Sequence, residues 1–147
     1  MTDQAKAQSL AERVSVAIGE RDTAARLLGI SVDQVAPGFA RLTMTVRPDM
    51  LNGAGICHGG LSYTLADTAF AHACNSHNRL SVAQSCSISY PAAAKPGDHL
   101  TAECREVLRQ GRSGIYDCTV TNQDGTVVAL FRGQSRTISG HLVEGSE

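Results

Sequence analysis

The chain reads as an α+β protein in which one antiparallel sheet packs on one long apolar helix. Two observations carry this reading. Residues 59–75 are filled with small and apolar side chains, among them Leu65, Ala66, Ala69, Phe70 and Ala71, on most sides of a helical projection. From Val82 to about Ile138, segments of strand character follow one another, separated by turn clusters rich in Gly, Pro, Asn and Asp. A run of strands beside a helix too apolar to face water calls for a sheet wrapped round that helix.

The elements follow in order. Met1 to about Leu28 reads as helical, with Leu10, Val14, Ala17 and Ile18 on one face at i, i+4, i+7 and i+8. Pro37-Gly38 marks a turn. Beyond it Ala40, Leu42, Met44 and Val46 alternate with Arg41, Thr43, Thr45 and Arg47, the period of a strand with one wet face, so one or two strands precede the central helix. Residues 48–57 form a loop bearing Gly and Asn, and the central helix is expected from Gly59 to about Asn75. Val82–Tyr90, His99–Leu108, Tyr116–Val120 with its flanks, and Thr126 to about Ile138 are then expected to form a four-strand meander. Its turns fall at Lys95-Pro96-Gly97-Asp98, Gly111-Arg112-Ser113-Gly114 and Asn122-Gln123-Asp124-Gly125. Val127 to Phe131 is apolar on both faces of its strand, which suggests that the outer face of the sheet is covered by another subunit. The residues from about His141 are expected to fray.

Composition narrows the function classes. The 147 residues suit a single domain, 1–147, with an N-terminal helix over about 1–28 and a core over about 29–140. A net charge of -1 argues against a nucleic-acid or anionic-membrane surface, and no apolar run reaches the length of a membrane span. No secretory signal is visible, so a cytoplasmic location is expected. The five cysteines are odd in number, widely spaced and without a Cys-x-x-Cys pair, the pattern of small core residues in a reducing compartment and of no metal site. His72 and His77 are five apart, wrong for one helical face.

The chemistry concentrates between Asn52 and Asp67. His58-Gly59-Gly60 stands where the central helix begins, and two glycines there are poor choices for a helix unless something must approach the backbone closely. The first N–H groups of a helix lack intrahelical acceptors and carry partial positive charge, so they can polarise a ligand oxygen. Asp67 lies two turns in, on the side shared by Tyr63, Ala71 and Cys74. An amide donor and a carboxylate are the elements of carbonyl hydrolysis. Two helical turns span about 11 Å, however, too far for both to serve one carbonyl. The site closes only if a second copy of the helix runs antiparallel, bringing Asp67 of one subunit to Gly59 of the other.

Asn52-x-x-Gly55-x-x-His58-Gly59-Gly60 followed by Leu65-Ala66-Asp67 resembles the signature of hotdog-fold acyl-CoA thioesterases of the phenylacetic-acid-degradation (PaaI) type. Gly114-Ile115-Tyr116-Asp117 and Val128-Ala129-Leu130-Phe131-Arg132-Gly133 resemble later strands of the same branch. The resemblance implies a hotdog fold, a curved antiparallel sheet around a long central helix. It implies hydrolysis of an aryl-acyl-CoA, such as phenylacetyl-CoA or a ring-hydroxylated relative, to free acid and coenzyme A in phenylacetate catabolism, with no metal or cofactor. By the same resemblance Gly59 supplies the backbone N–H of the oxyanion hole, Asp67 activates water or attacks the carbonyl, Asn52 orients water or thioester, and His58 supports the loop. Gly60 and Thr68 are expected beside the substrate, and Arg112 could meet the phosphates of coenzyme A. Ala71 stands where other hotdog branches place a hydroxyl. A homodimer is the expected active unit, assembled further into a homotetramer. The competing readings are a non-catalytic acyl-CoA binder on the same fold, a thioesterase for other short or medium acyl-CoAs, and a hotdog dehydratase using His58 with Asp67.

Overall fold

The computed structural model of the chain describes residues 1–145. The N-terminal helical region is two helices, α1 (Asp3–Arg21) and α2 (Thr23–Leu27). Asp22 makes the break: its backbone N–H closes α1 on Ile18, and its carboxylate accepts from Ala25 N–H at 3.0 Å to cap α2. Two strands follow, β1 (Ser31–Ala36) and β2 (Phe39–Thr45), joined at the Pro37-Gly38 turn. After a 3₁₀ turn at Pro48–Met50 comes the central helix α3 (Gly59–Asn75), then β3 (Ser81–Ser89), β4 (His99–Gln110), β5 (Ser113–Thr121) and β6 (Val127–Thr137).

All strand pairs are antiparallel, in the order β1-β2-β4-β5-β6-β3. This corrects the expected four-strand meander. β4, β5 and β6 do form one, but the edge of β4 that β3 would need is taken by the whole of β2, from Phe39 opposite Arg105 to Thr45 opposite His99. β3 therefore crosses over and pairs with the far edge of β6, Ser81 opposite Thr137 and Ser89 opposite Leu130. It ends the sheet there, with its other edge unpaired among the described residues.

α3 touches all six strands, which a flat sheet could not allow; the sheet curves round the helix in the hotdog arrangement. Leu65, Ala66, Ala69, Phe70 and Ala73 of α3 are fully buried against Leu42, Met44, Leu100, Tyr116 and Val120 of the sheet's inner face. Burying a side chain such as Leu65 or Phe70 contributes about 1.5–3 kcal/mol relative to exposure. The apolar run of β6 divides unevenly: Val128, Ala129 and Phe131 are buried, whereas Leu130 faces outward. α1 lies across α3, and Ser15 Oγ pairs with Nδ1 of buried His72 at 2.8 Å. The five cysteines are free thiols, Cys104 facing Cys118 across β4 and β5.

The segment from His141 does not fray within the described residues. Asn78, in the left-handed region at φ 63°, accepts from Leu142 and Val143 N–H at 3.0 Å each and donates to the Val143 carbonyl at 2.8 Å. A buried amide that mirrors a peptide group on both its donor and acceptor sides gives this segment the partners a sheet would otherwise provide.

Candidate active site

The loop before α3 is built by its own side chains. Asn52 Oδ1 accepts from Ala54 N–H at 2.9 Å and Ile56 N–H at 3.3 Å, and Leu51 bridges to Cys57. Cys57 N–H reaches the Ala94 carbonyl and His58 N–H the Met50 carbonyl, both at 2.8 Å, which moors the loop to the segment after β3. Asn52 therefore shapes the loop first, with one side-chain oxygen closing the turn.

His58 is the N-cap of α3. Its Nδ1 accepts from Gly60 N–H at 3.1 Å, so Nδ1 is unprotonated and the histidine does the work usually done by Ser or Asp. Leu61 N–H turns back to the His58 carbonyl at 2.9 Å. Among the described residues the remaining amide of this turn, Gly59 N–H, has no acceptor. The two glycines thus part ways: the Gly60 amide is engaged by the cap, whereas the Gly59 amide stays open. Gly59 also borders a cavity of about 350 Å³ whose wall includes Asn52, Cys57, Ser62, Tyr90, Ala94 and Val128. Asn52 and Gly59 are brought together as the sequence suggests.

Asp67 is not at this cavity. It sits half-buried two turns along α3, on the side that carries Tyr63. Burial, and then the charge of Asp22, push its carboxyl above the usual range for aspartate. Tyr63, one turn earlier, is pushed up to about 12, first by a hydrogen bond with Cys86 of β3, then by burial, with the Asp67 charge adding to both.

Thr68 points elsewhere. Its hydroxyl donates to the Thr64 carbonyl at 2.7 Å, and it borders a separate cavity of about 130 Å³ with Asp22 and His72. Burial lowers His72 to about 4, so this histidine is neutral against Ser15. Arg112 is exposed in the β4–β5 turn, next to the end of β6, where Thr137 N–H donates to its carbonyl at 2.7 Å. The cavity lies at the opposite end of these strands, near Val128. The intervening length of β5 is about 25 Å, so Arg112 does not meet the Gly59 cavity of its own protomer. His77 is held by Glu106 at 2.9 Å, outside the site, and no cluster of His, Cys, Asp or Glu among the described residues could hold a metal ion.

One wall residue was not singled out from the sequence. Tyr90 closes β3 and reaches back over the start of α3, where its hydroxyl donates to the Gly59 carbonyl at 2.8 Å. The available signal was an aromatic residue immediately before Pro91, in a chain with few aromatics.

Residues 54–129 match the family described as the thioesterase superfamily. The chain is 47% identical over 127 residues to the acyl-coenzyme A thioesterase PaaI of Escherichia coli K12, covering 86% of this chain and 90% of that protein. The solved structure of the E. coli PaaI protein from the phenylacetic acid degradation operon superposes with a TM-score of 0.90 at 42% identity, over 91% of this chain and 97% of that one. A Streptococcus mutans protein solved bound to acetyl CoA superposes with a TM-score of 0.74 at 28% identity, over 76% and 90% of the two chains.

Proposed function

The chain belongs to the thioesterase superfamily and is an acyl-CoA thioester hydrolase; from that premise we propose that it acts on aryl-acyl-CoA, phenylacetyl-CoA or a ring-hydroxylated relative, at a site shared between two protomers. The observation that carries the chemistry is the open Gly59 N–H at the cavity wall, in a first turn whose neighbouring amides are engaged. Support for the acyl group comes from the E. coli relative's place in phenylacetic acid degradation and from a cavity wall of small residues, Ala92 to Ala94 among them, which leaves room for a ring.

In this reading the thioester oxygen sits against Gly59 N–H of one protomer. Asp67 of the second takes a proton from water, and the hydroxide adds to the carbonyl carbon as the C=O electron pair moves onto oxygen. The oxyanion is held by the Gly59 amide at the positive end of α3. Its collapse breaks the C–S bond and gives the carboxylic acid, the coenzyme A thiolate recovers the proton from Asp67, and the acid releases its own proton to solvent and leaves as carboxylate. A carboxyl raised by burial is a stronger base than an exposed aspartate, which suits the task. Direct attack by Asp67 is the variant of this scheme; it passes through a mixed anhydride. Asn52 holds the turn of the loop through its side-chain oxygen, and His58 holds the cap.

The shared site is supported by geometry. Asp67 and Gly59 are eight residues apart on one helix, roughly 12 Å of rise. β3 offers an unpaired edge among the described residues, with Val82 to Ser85 exposed along it. A second copy added antiparallel at that edge pairs the strand and sets the two copies of α3 side by side in opposite directions. The same inversion carries Arg112 from the far end of its own sheet toward the partner's cavity, where it would meet the phosphates of coenzyme A. Further association into a homotetramer would cover the outward-facing Leu130. No helix among the described residues is long and apolar enough to cross a membrane.

Release of free coenzyme A, followed with a thiol-reactive chromophore across aryl and alkyl acyl-CoAs, tests the substrate. The highest kcat/KM is expected for aryl acids; a preference for straight-chain substrates would overturn that part. Asp67→Asn is expected to lower kcat by about 10²–10⁴ with the dimer intact. Near-normal turnover in that variant would remove Asp67 from the mechanism. Single-turnover hydrolysis in ¹⁸O water separates the variants: label in Asp67 indicates direct attack, and label only in the product acid indicates activated water.

A further inference from the structure

The peptide group between Gly59 and Gly60 is gripped from both sides. Its carbonyl accepts from Tyr90 Oη at 2.8 Å and from Ser62 Oγ at 3.2 Å, and its N–H donates to His58 Nδ1 at 3.1 Å. The Tyr90 ring lies flat enough over Gly59 that a Cβ there would stand 3.1–3.3 Å from three of its atoms. On the other side of Gly59 the chain is moored by the bonds of Cys57 and His58 to Ala94 and Met50. A glycine pair is the freest backbone available, and left to itself the Gly59 N–H would sample many directions. With both neighbouring peptide groups fixed, the direction of that one amide is fixed as well.

We propose that Tyr90 is a positioning residue for thioester hydrolysis: through the Gly59 carbonyl, its hydroxyl sets the direction in which the Gly59 N–H meets the thioester oxygen. The proposal rests on the Gly59 amide being the oxyanion donor. Tyr90 is half-exposed at the mouth of the cavity, so its ring is a wall residue and its hydroxyl is the part that acts on the helix. His58 and Ser62 belong to the start of α3 itself, whereas Tyr90 comes from the end of β3. It therefore ties the amide to the sheet, and an amide anchored to a second element needs no reorganisation when charge develops on the substrate oxygen.

Tyr90→Phe keeps the ring and removes the hydroxyl. Expected is a fall in kcat of about fivefold, the size of one lost neutral hydrogen bond. KM, the Kd of a non-hydrolysable thioether analogue of the acyl-CoA, the melting temperature and the acid limb of the pH profile should stay as in the parent. Unchanged kcat would overturn the proposal, and so would a loss of kcat matched by a lower melting temperature or a shifted pH limb. Combining Tyr90→Phe with Ser62→Ala gives a second reading: two donors to one carbonyl should be coupled, and strictly additive losses would count against the proposal. Asp67→Asn run beside them separates the failures. If that variant turns over normally while Tyr90→Phe has lost kcat, the shared-site reading falls and the Tyr90 proposal stands. If it is inactive while Tyr90→Phe is fully active, the Tyr90 proposal alone falls.

Discussion

Glycine-to-alanine substitution is expected to act with opposite sign at two positions. Gly133 lies in β6, opposite Tyr116 and Cys86, and a Cβ there would stand 2.7 Å from two atoms of the Phe70 ring and 2.9 Å from a third. Unbonded carbons prefer about 3.5–4.0 Å, so the ring would have to retreat by about 1 Å. It has nowhere to go: Phe70 is fully buried, with Tyr116 at 5.6 Å and Phe131 at 5.8 Å between ring centroids. Overpacking of this kind costs about 2 kcal/mol, or roughly 4–8 °C of melting temperature for a chain of this size. Phe70 is also one turn beyond Asp67, so displacement of α3 by this ring should lower kcat, by up to about 10²-fold. Gly19 lies inside α1, where an added Cβ would meet nothing within 4 Å, and alanine there should raise stability by about 0.5–1 kcal/mol. Thermal unfolding at one fixed protein concentration, with turnover measured on the same samples, reads both effects. A Gly133→Ala protein that melts and turns over like the parent would refute the steric argument, and so would a shift of the same sign for both variants.

Two further outcomes concern the proposed shared site. The Asp22 charge helps to raise the Asp67 carboxyl, so Asp22→Asn, which can still cap α2, should move the acid limb of kcat/KM to lower pH; a limb that stays in place would show that burial alone sets it. Protomers carrying Asp67→Asn and protomers carrying Gly59→Val, each inactive alone, should recover about a quarter of parental activity per protomer when mixed and allowed to exchange, because half of the dimers then hold one intact site. Verified heterodimers without activity would place donor and carboxylate in the same protomer.

Local signals and long-range ones differed in legibility. The bounds of α3 could be read because Gly59-Gly60 and the apolar stretch after them are both local. The hairpin turns could be read because Pro37-Gly38 and Asn122 to Gly125 declare themselves within four residues. The place of β3 could not, because which edge a strand joins depends on β2 having already taken β4, some forty residues away in the chain. β1 was only half-visible because Val35 is its single buried residue, so no alternation marks it. The C-terminal segment looked free because its partner, Asn78, is an ordinary loop residue until its backbone adopts a positive φ. Within the site, the pairing of Asn52 with Gly59 was implied by the family resemblance, and the distance between Gly59 and Asp67 followed from helix geometry. What spacing could not show was that Gly60 is spoken for by His58, that Thr68 faces Asp22 and His72, and that a tyrosine thirty-one residues on leans over Gly59.

Among the described residues one amide at the head of α3, Gly59 N–H, stays open, and this has a consequence for product release in the proposed mechanism. A helix terminus with several open N–H groups retains phosphates and carboxylates, because each oxygen finds its own donor. Here His58 takes one amide and its carbonyl a second, which leaves one contact. In the proposed mechanism a tetrahedral intermediate concentrates its charge on one oxygen and would use that contact fully. The carboxylate product spreads its charge over two oxygens, finds a donor for only one, and stands in the proposed dimer opposite a second carboxylate, Asp67. The asymmetry makes departure of the acid downhill, and such an enzyme should work on with its own product accumulating around it, feeling inhibition from coenzyme A well before inhibition from the free acid.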